Sequence, residues 1–144
     1  MRIRMVGLAA TVAVLTGGVL ATGGGAADAA VPTLQITAVS SEDYPLVVVV
    51  NSTGEVMGWG EWSQDPYNGQ PGDALRVADT LTDGYAVYGY LSADNRVATT
   101  SGHTAVYVSP WVGPNLPENH TYDMTICAQR NGLKITCKSH PVTS

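Results

Sequence analysis

TYDMTICAQRNGLKITCKSH, residues 121–140, is the stretch that decides the fold. Tyr122, Met124, Ile126 and Ala128 recur at every second position, the spacing that lines one face of a strand. Leu133, Ile135 and Cys137 repeat the pattern after Asn131-Gly132, a dipeptide whose tolerance of positive φ makes it a strong hairpin signal. A two-residue Asn131-Gly132 turn would set Ala128 opposite Ile135 and gather the apolar residues on one side. It would also leave Cys127 and Cys137 on opposite faces, where they cannot bond. A three-residue loop, Arg130-Asn131-Gly132 with Gly132 in a bulge, would instead set Cys127 opposite Ile135 and diagonal to Cys137 on one face. Whether the two cysteines are bonded therefore bears on the register.

Compartment decides that question, and the N-terminus speaks to it. Arg2 and Arg4 precede an apolar stretch from about Met5 to Leu20, and Ala27-Asp28-Ala29 forms a small-residue cleavage site. This is the layout of a secretory signal peptide over residues 1–29, followed by one secreted domain over residues 30–144. An oxidising destination favours a Cys127–Cys137 disulfide. A disulfide then requires a bulge near the turn, and closing so short a loop contributes roughly 3 kcal/mol at most. Removing Arg2, Arg4 and Asp28 from the 7 basic and 12 acidic residues leaves 5 and 11, a formal charge of −6. That balance disfavours nucleic acid and anionic membranes, which need a basic surface.

The rest of the secreted part shows no sustained helical period. Gly and Pro interrupt it about every ten residues, with Val, Thr and Tyr between them. Strands are expected at 34–40, 45–51, 55–62, 74–81, 85–92, 97–101, 104–109, 121–129 and 133–140. The segment NLPENHTY, residues 115–122, running into residues 123–129, resembles the E–F corner and F strand of a fibronectin type III or other immunoglobulin-like sandwich. Leu116 would be the corner leucine and Tyr122 the corner tyrosine, whose hydroxyl bonds back to the corner backbone. The resemblance implies an all-β, single immunoglobulin-like antiparallel β-sandwich of seven to nine strands, and no activity, because that sandwich hosts many functions. The chain also resembles small exported proteins of high-GC actinobacteria in its Ala/Gly/Val/Thr-rich leader and its lack of Phe.

Residues 58–73, GWGEWSQDPYNGQPGD, carry the first candidate site. As a ligand-binding platform, Trp59, Trp62 and Tyr67 would stack on a saccharide or peptide, while Glu61, Asp65, Asn68 and Gln70 would hydrogen-bond it. As plain structure, Met57, Trp59 and Glu61 alternate with Gly58, Gly60 and Trp62, and one Trp fills a core that has no Phe. Asp65, Asn68, Gln70 and Asp73 could offer oxygens to calcium, but the spacing is not that of an EF-hand and carboxylates are few. No metal and no cofactor are expected.

The Pro-rich stretch 109–120, with Trp111 near its start, is the second candidate. A stiff exposed loop would suit an inhibitor of an extracellular hydrolase, since pre-ordering lowers the entropic cost of binding. A sandwich connection with Trp111 capping the core is the structural alternative. Catalysis has little support. Ser101 and His103 lie two apart in Thr100-Ser101-Gly102-His103, and no nucleophile elbow, zinc helix or phosphate loop is present. The sequence points to a secreted, non-enzymatic binding module for an extracellular protein or polysaccharide. Trp59, Trp62, Tyr67 and Trp111 are its candidate ligand-binding residues, and a hydrolase inhibitor is the alternative.

Overall fold

Nine strands follow one another in the computed structural model, which describes residues 33–41, 44–113 and 115–144. The expected signal peptide lies outside the described residues. The strands are β1 (Gln35–Ser41), β2 (Tyr44–Val50), β3 (Val56–Ser63), β4 (Ala74–Asp79), β5 (Ala86–Leu91), β6 (Val97–Thr99), β7 (Tyr107–Val108), β8 (Thr121–Arg130) and β9 (Leu133–Thr143). They form two sheets, ordered β1-β2-β3-β4-β7 and β6-β5-β8-β9, and every pairing is antiparallel. The described residues contain no helix, and the protein is an all-β, sandwich-like domain.

The β8–β9 hairpin resolves the conflict between the apolar pattern and the cysteines in a way that neither expected register did. Asn131 (φ 52°) and Gly132 (φ 77°) both sit in the left-handed region, so the two-residue turn is kept. The bulge lies further along, between Ala128 and Gln129, and shifts the register there. Arg130 pairs with Leu133 and Gln129 with Lys134, whereas Ala128 pairs with Thr136, so Ile135 is the extra residue. Cys127 then lies directly opposite Cys137, not diagonal to it, and the two form the disulfide with Cα atoms 4.1 Å apart. Leu133, expected to share the apolar face, keeps the two-residue-turn partner Arg130 and is 68% exposed beside the turn.

Between the sheets lies the core. Val47, Val49, Trp62, Leu75 and Val77 come from the first sheet, and Val87, Leu91, Met124, Ile126 and Ala128 from the second. Close approach is made possible by glycine on facing strands. A Cβ on Gly60 would meet Ile126 Cγ1 at 2.5 Å and its Cδ1 closer still, and one on Gly89 would meet Leu75 and Val77 at 2.9 Å. The Gly58, Gly60 and Trp62 side of β3 therefore faces inward, which turns Trp59 and Glu61 outward.

The connection from β7 to β8 is tied down at both ends. Val112 and Leu75 exchange backbone hydrogen bonds of 2.9 and 2.8 Å, so the segment runs on beside β4. Leu116 is buried, and its N–H donates to Asp73 Oδ2 at 2.8 Å. At the corner, Asn119 N–H donates to the Ser144 carbonyl at 2.9 Å and the Ser144 hydroxyl donates to the Pro117 carbonyl at 2.5 Å. No hydrogen bond from the Tyr122 hydroxyl occurs among those of the described residues; Ser144 does the tying expected of Tyr122.

Candidate binding surfaces

Trp59 and Trp111 meet on the outer face of the five-stranded sheet through a residue that sequence reasoning did not single out. The Arg76 guanidinium lies 4.3 Å from the Trp111 ring centre and 5.6 Å from that of Trp59. The β3–β4 register explains this. Glu61 is directly opposite Arg76 and Trp59 opposite Ala78, so Trp59 lies on the diagonal from Arg76. Trp111 arrives from the other side because Val112, its neighbour, is hydrogen-bonded to Leu75. Arg76 Nε also donates to Glu61 Oε2 at 2.7 Å, with the two side chains 26% and 14% exposed. The guanidinium is thus held by a carboxylate and lies over two indole rings, and each cation–π contact is worth about 0.5–2 kcal/mol.

Around this stack the face is apolar. Leu46 and Val48, on β2, are opposite Glu61 and Trp59 and are half-buried. Val108, on β7, is opposite Ala78 and 43% exposed. The patch has one satisfied ion pair at its centre, both indoles are half-buried, and Thr37, opposite Val48, is exposed at its edge. The sequence signal for Arg76 was weak, because its partners are contributed by another strand and by a loop thirty-five positions away.

The other expected platform residues are elsewhere. Trp62 is fully buried, and its Nε1–H donates to the Thr143 carbonyl at 3.0 Å. It is a core residue, three positions from Trp59 and therefore on the opposite face of β3, so no ligand can reach it as folded. Tyr67 is 58% exposed at the tip of a small turn in which it bridges to Gln70 across Asn68 (φ 48°) and Gly69 (φ 81°). It stacks on neither surface tryptophan among the described residues.

The calcium oxygens are not gathered either. Asp73 is buried and turned toward Leu116, while Asp65 and Asn68 are exposed. Among the described residues no three His, Cys, Asp or Glu side chains are grouped to hold a metal ion. Asp73 Oδ1 and Gln70 Oε1 are buried without a partner.

A second concavity opens at one end of the four-stranded sheet, a cleft of about 280 Å³. Its floor is Ala86, Tyr88 and Gln129, and its rims are the Ser101–His103 turn and the Asn131-Gly132 turn. Ser101 and His103 therefore share one rim. The His103 ring is stacked on Tyr107, with centres 3.7 Å apart and planes within 2°. No hydrogen bond joins it to Ser101 among the described residues, and no Asp or Glu lines the cleft to orient it. The nucleophile–base–orienter arrangement of covalent catalysis is not assembled here.

Asp79, near the end of β4, has the one perturbed carboxyl resolved among the described residues. Burial raises it above the ordinary carboxylate range and the Asp83 charge adds to this, against the lowering effect of a hydrogen bond from Leu81 N–H. It lies outside both surfaces as lined. In comparison with known proteins, no family model, curated protein or solved structure matches this chain.

Proposed function

We propose that this protein is an exported, non-enzymatic binding module that docks an extracellular protein through the outer face of its five-stranded sheet. The observation that carries this reading is the Trp59–Arg76–Trp111 stack. Two indoles lie outside a core that Trp62 already serves, and they are fixed in place before any partner arrives. Trp and Arg are the residues most enriched among interface anchors, and rigid anchors lose little entropy on binding. Flanking Leu46, Val48 and Val108 suit a protein partner better than a polysaccharide, which needs a surround of free hydrogen-bonding groups. The Pro-rich segment offers less to an inhibitor reading, because it is strapped to β4 and to Ser144.

Export is supported by the N-terminal leader pattern and by the disulfide. An immunoglobulin-like type is supported by strand order: β3-β4-β7 opposite β6-β5-β8-β9 corresponds to strands A-B-E opposite C′-C-F-G, with β1 and β2 added beside A.

The test is a binding comparison using size-fractionated extracellular proteins of the source culture over immobilised protein. A docking face predicts a saturable partner whose affinity falls at least about 30-fold in Trp59→Ser/Trp111→Ser, the loss of a hot spot of about 2 kcal/mol. The retained emission of Trp62 reports folding in that variant. A partner that binds wild type and double variant equally would refute the assignment.

A further inference from the structure

We propose that the cleft at the end of the four-stranded sheet is a binding site for a single uncharged saccharide ring. This site is independent of the protein-docking face, lying on the other sheet, and rests on its own observations. The first is the absence of ionic groups: no Asp, Glu, Lys or Arg is among its lining residues. The Arg130 guanidinium borders the cleft, 5.2 Å from the ring centre of the lining residue Tyr85, and is engaged there as a cation on an aromatic face.

The second observation is the kind of polar group present. The floor and rims carry Thr100, Ser101, Gln129 and Asn131, all hydroxyls and amides. Gln129 Nε2–H donates to the Tyr90 hydroxyl at 2.8 Å, which leaves its Oε1 as an acceptor. Thr100 Oγ1 accepts from Val87 N–H at 2.9 Å and the residue is fully buried, so it shapes the wall and leaves the exposed polar groups to its neighbours. The Ser101 and Asn131 side chains make no hydrogen bond among the described residues. Hydroxyl and amide groups with mixed donor and acceptor capacity match the ring hydroxyls of a sugar.

The third is aromatic surface beside those groups. Tyr88 stacks with Tyr90 at 6.3 Å on the same outer face, and His103, its ring stacked on Tyr107 behind it, lines one rim. Flat, weakly hydrated rings suit the C–H faces of a pyranose. Both rims are pre-set turns. Gly102 (φ 84°) and His103 N–H donating to the Thr100 carbonyl at 3.2 Å define a type II turn on one side. The Asn131-Gly132 turn defines the other. At about 280 Å³ the cleft is slightly smaller than the roughly 300–1,000 Å³ of pockets for drug-sized ligands, so it suits one ring and not a buried chain.

The experiment is a ¹⁵N–¹H correlation titration of the oxidised protein with cellotriose, xylotriose and chitotriose, each taken to about 10 mM, ten times a Kd of about 1 mM. The expected result is a saturable shift of the Gly84, Gly102, His103 and Gly132 amides with at least one sugar. The Trp59 and Trp111 indole signals should stay still. Tyr88→Ala should weaken binding about tenfold. Asn131→Asp, which keeps a residue suited to the left-handed turn, should weaken it without disturbing amides elsewhere. Three results would overturn the proposal: no saturable shift with any of the three sugars, shifts that glycerol or acetate reproduces, or shifts centred on the tryptophan indoles.

Discussion

Gly60→Ala should destabilise the protein by about 1–2 kcal/mol, although alanine is the better residue on conformational entropy alone. Gly60 on β3 faces Ile126 on β8, and an added Cβ would lie 2.5 Å from Ile126 Cγ1. Carbon atoms rest about 3.5–4.0 Å apart, so Ile126 would have to retreat by about 1 Å or more. Ile126 is fully buried and has nowhere to go. Overpacking of this kind costs about 1–3 kcal/mol, offset by about 0.4–1 kcal/mol from the stiffer unfolded chain. A double-mutant cycle isolates the cause. Ile126→Ala alone should cost about 2–5 kcal/mol. It leaves only the Ile126 Cβ, 3.6 Å from the added methyl, which is ordinary contact. In that background Gly60→Ala should cost nothing or stabilise, a coupling of about 1–3 kcal/mol. Urea unfolding of the four oxidised proteins at constant m-value reads the cycle. Additive costs would show that the glycine is not there to admit Ile126, and the account of sheet approach would fail.

Other expectations follow from single contacts. Reducing the Cys127–Cys137 bond, which closes a loop with a sequence separation of 10, should lower stability by about 2–3 kcal/mol, read as the shift in urea midpoint on adding reductant. Asp73→Ala should cost about 1–3 kcal/mol, because it strands the buried Leu116 N–H. Asp73→Asn should cost less than half as much, since asparagine keeps an acceptor and tolerates the φ of 50° there; equal losses in thermal melts would refute the pairing. The raised Asp79 carboxyl contributes stability that is fully present below its unfolded pKa and lost as pH rises through its folded value. Asp79→Asn should therefore gain on wild type as pH rises above the ordinary carboxylate value of 3.8, and a pH-independent difference would contradict the burial argument.

Strand positions were legible because period-two apolar patterns and turn residues act locally. All nine expected segments overlap β1 to β9. The bulge was legible in outline, since only a register change brings Cys127 and Cys137 to one face. Its position was not, because a residue could be added before or after the turn, and packing of Ile135 against the core accompanies the second choice. At the surface, alternation along β3 implied that Trp59 and Trp62 take opposite faces, yet only sheet packing shows which one is inside. Arg76 sits in ALRVAD as an unremarkable strand residue, and its meaning comes from Trp111, brought alongside by the Leu75–Val112 bridge. The cleft was hidden for the same reason, as its rims are turns separated by about thirty residues.

The most direct test of the central claim follows the three tryptophan indole N–H signals while the protein is titrated with fractionated extracellular proteins. The account predicts that Trp62, hydrogen-bonded to Thr143, exchanges slowly with solvent and does not move. Trp59 and Trp111 should exchange faster and shift or broaden together as a partner saturates the face. If a bound partner leaves both unmoved, or if Trp62 responds with them, the outer face of the five-stranded sheet is not the binding surface.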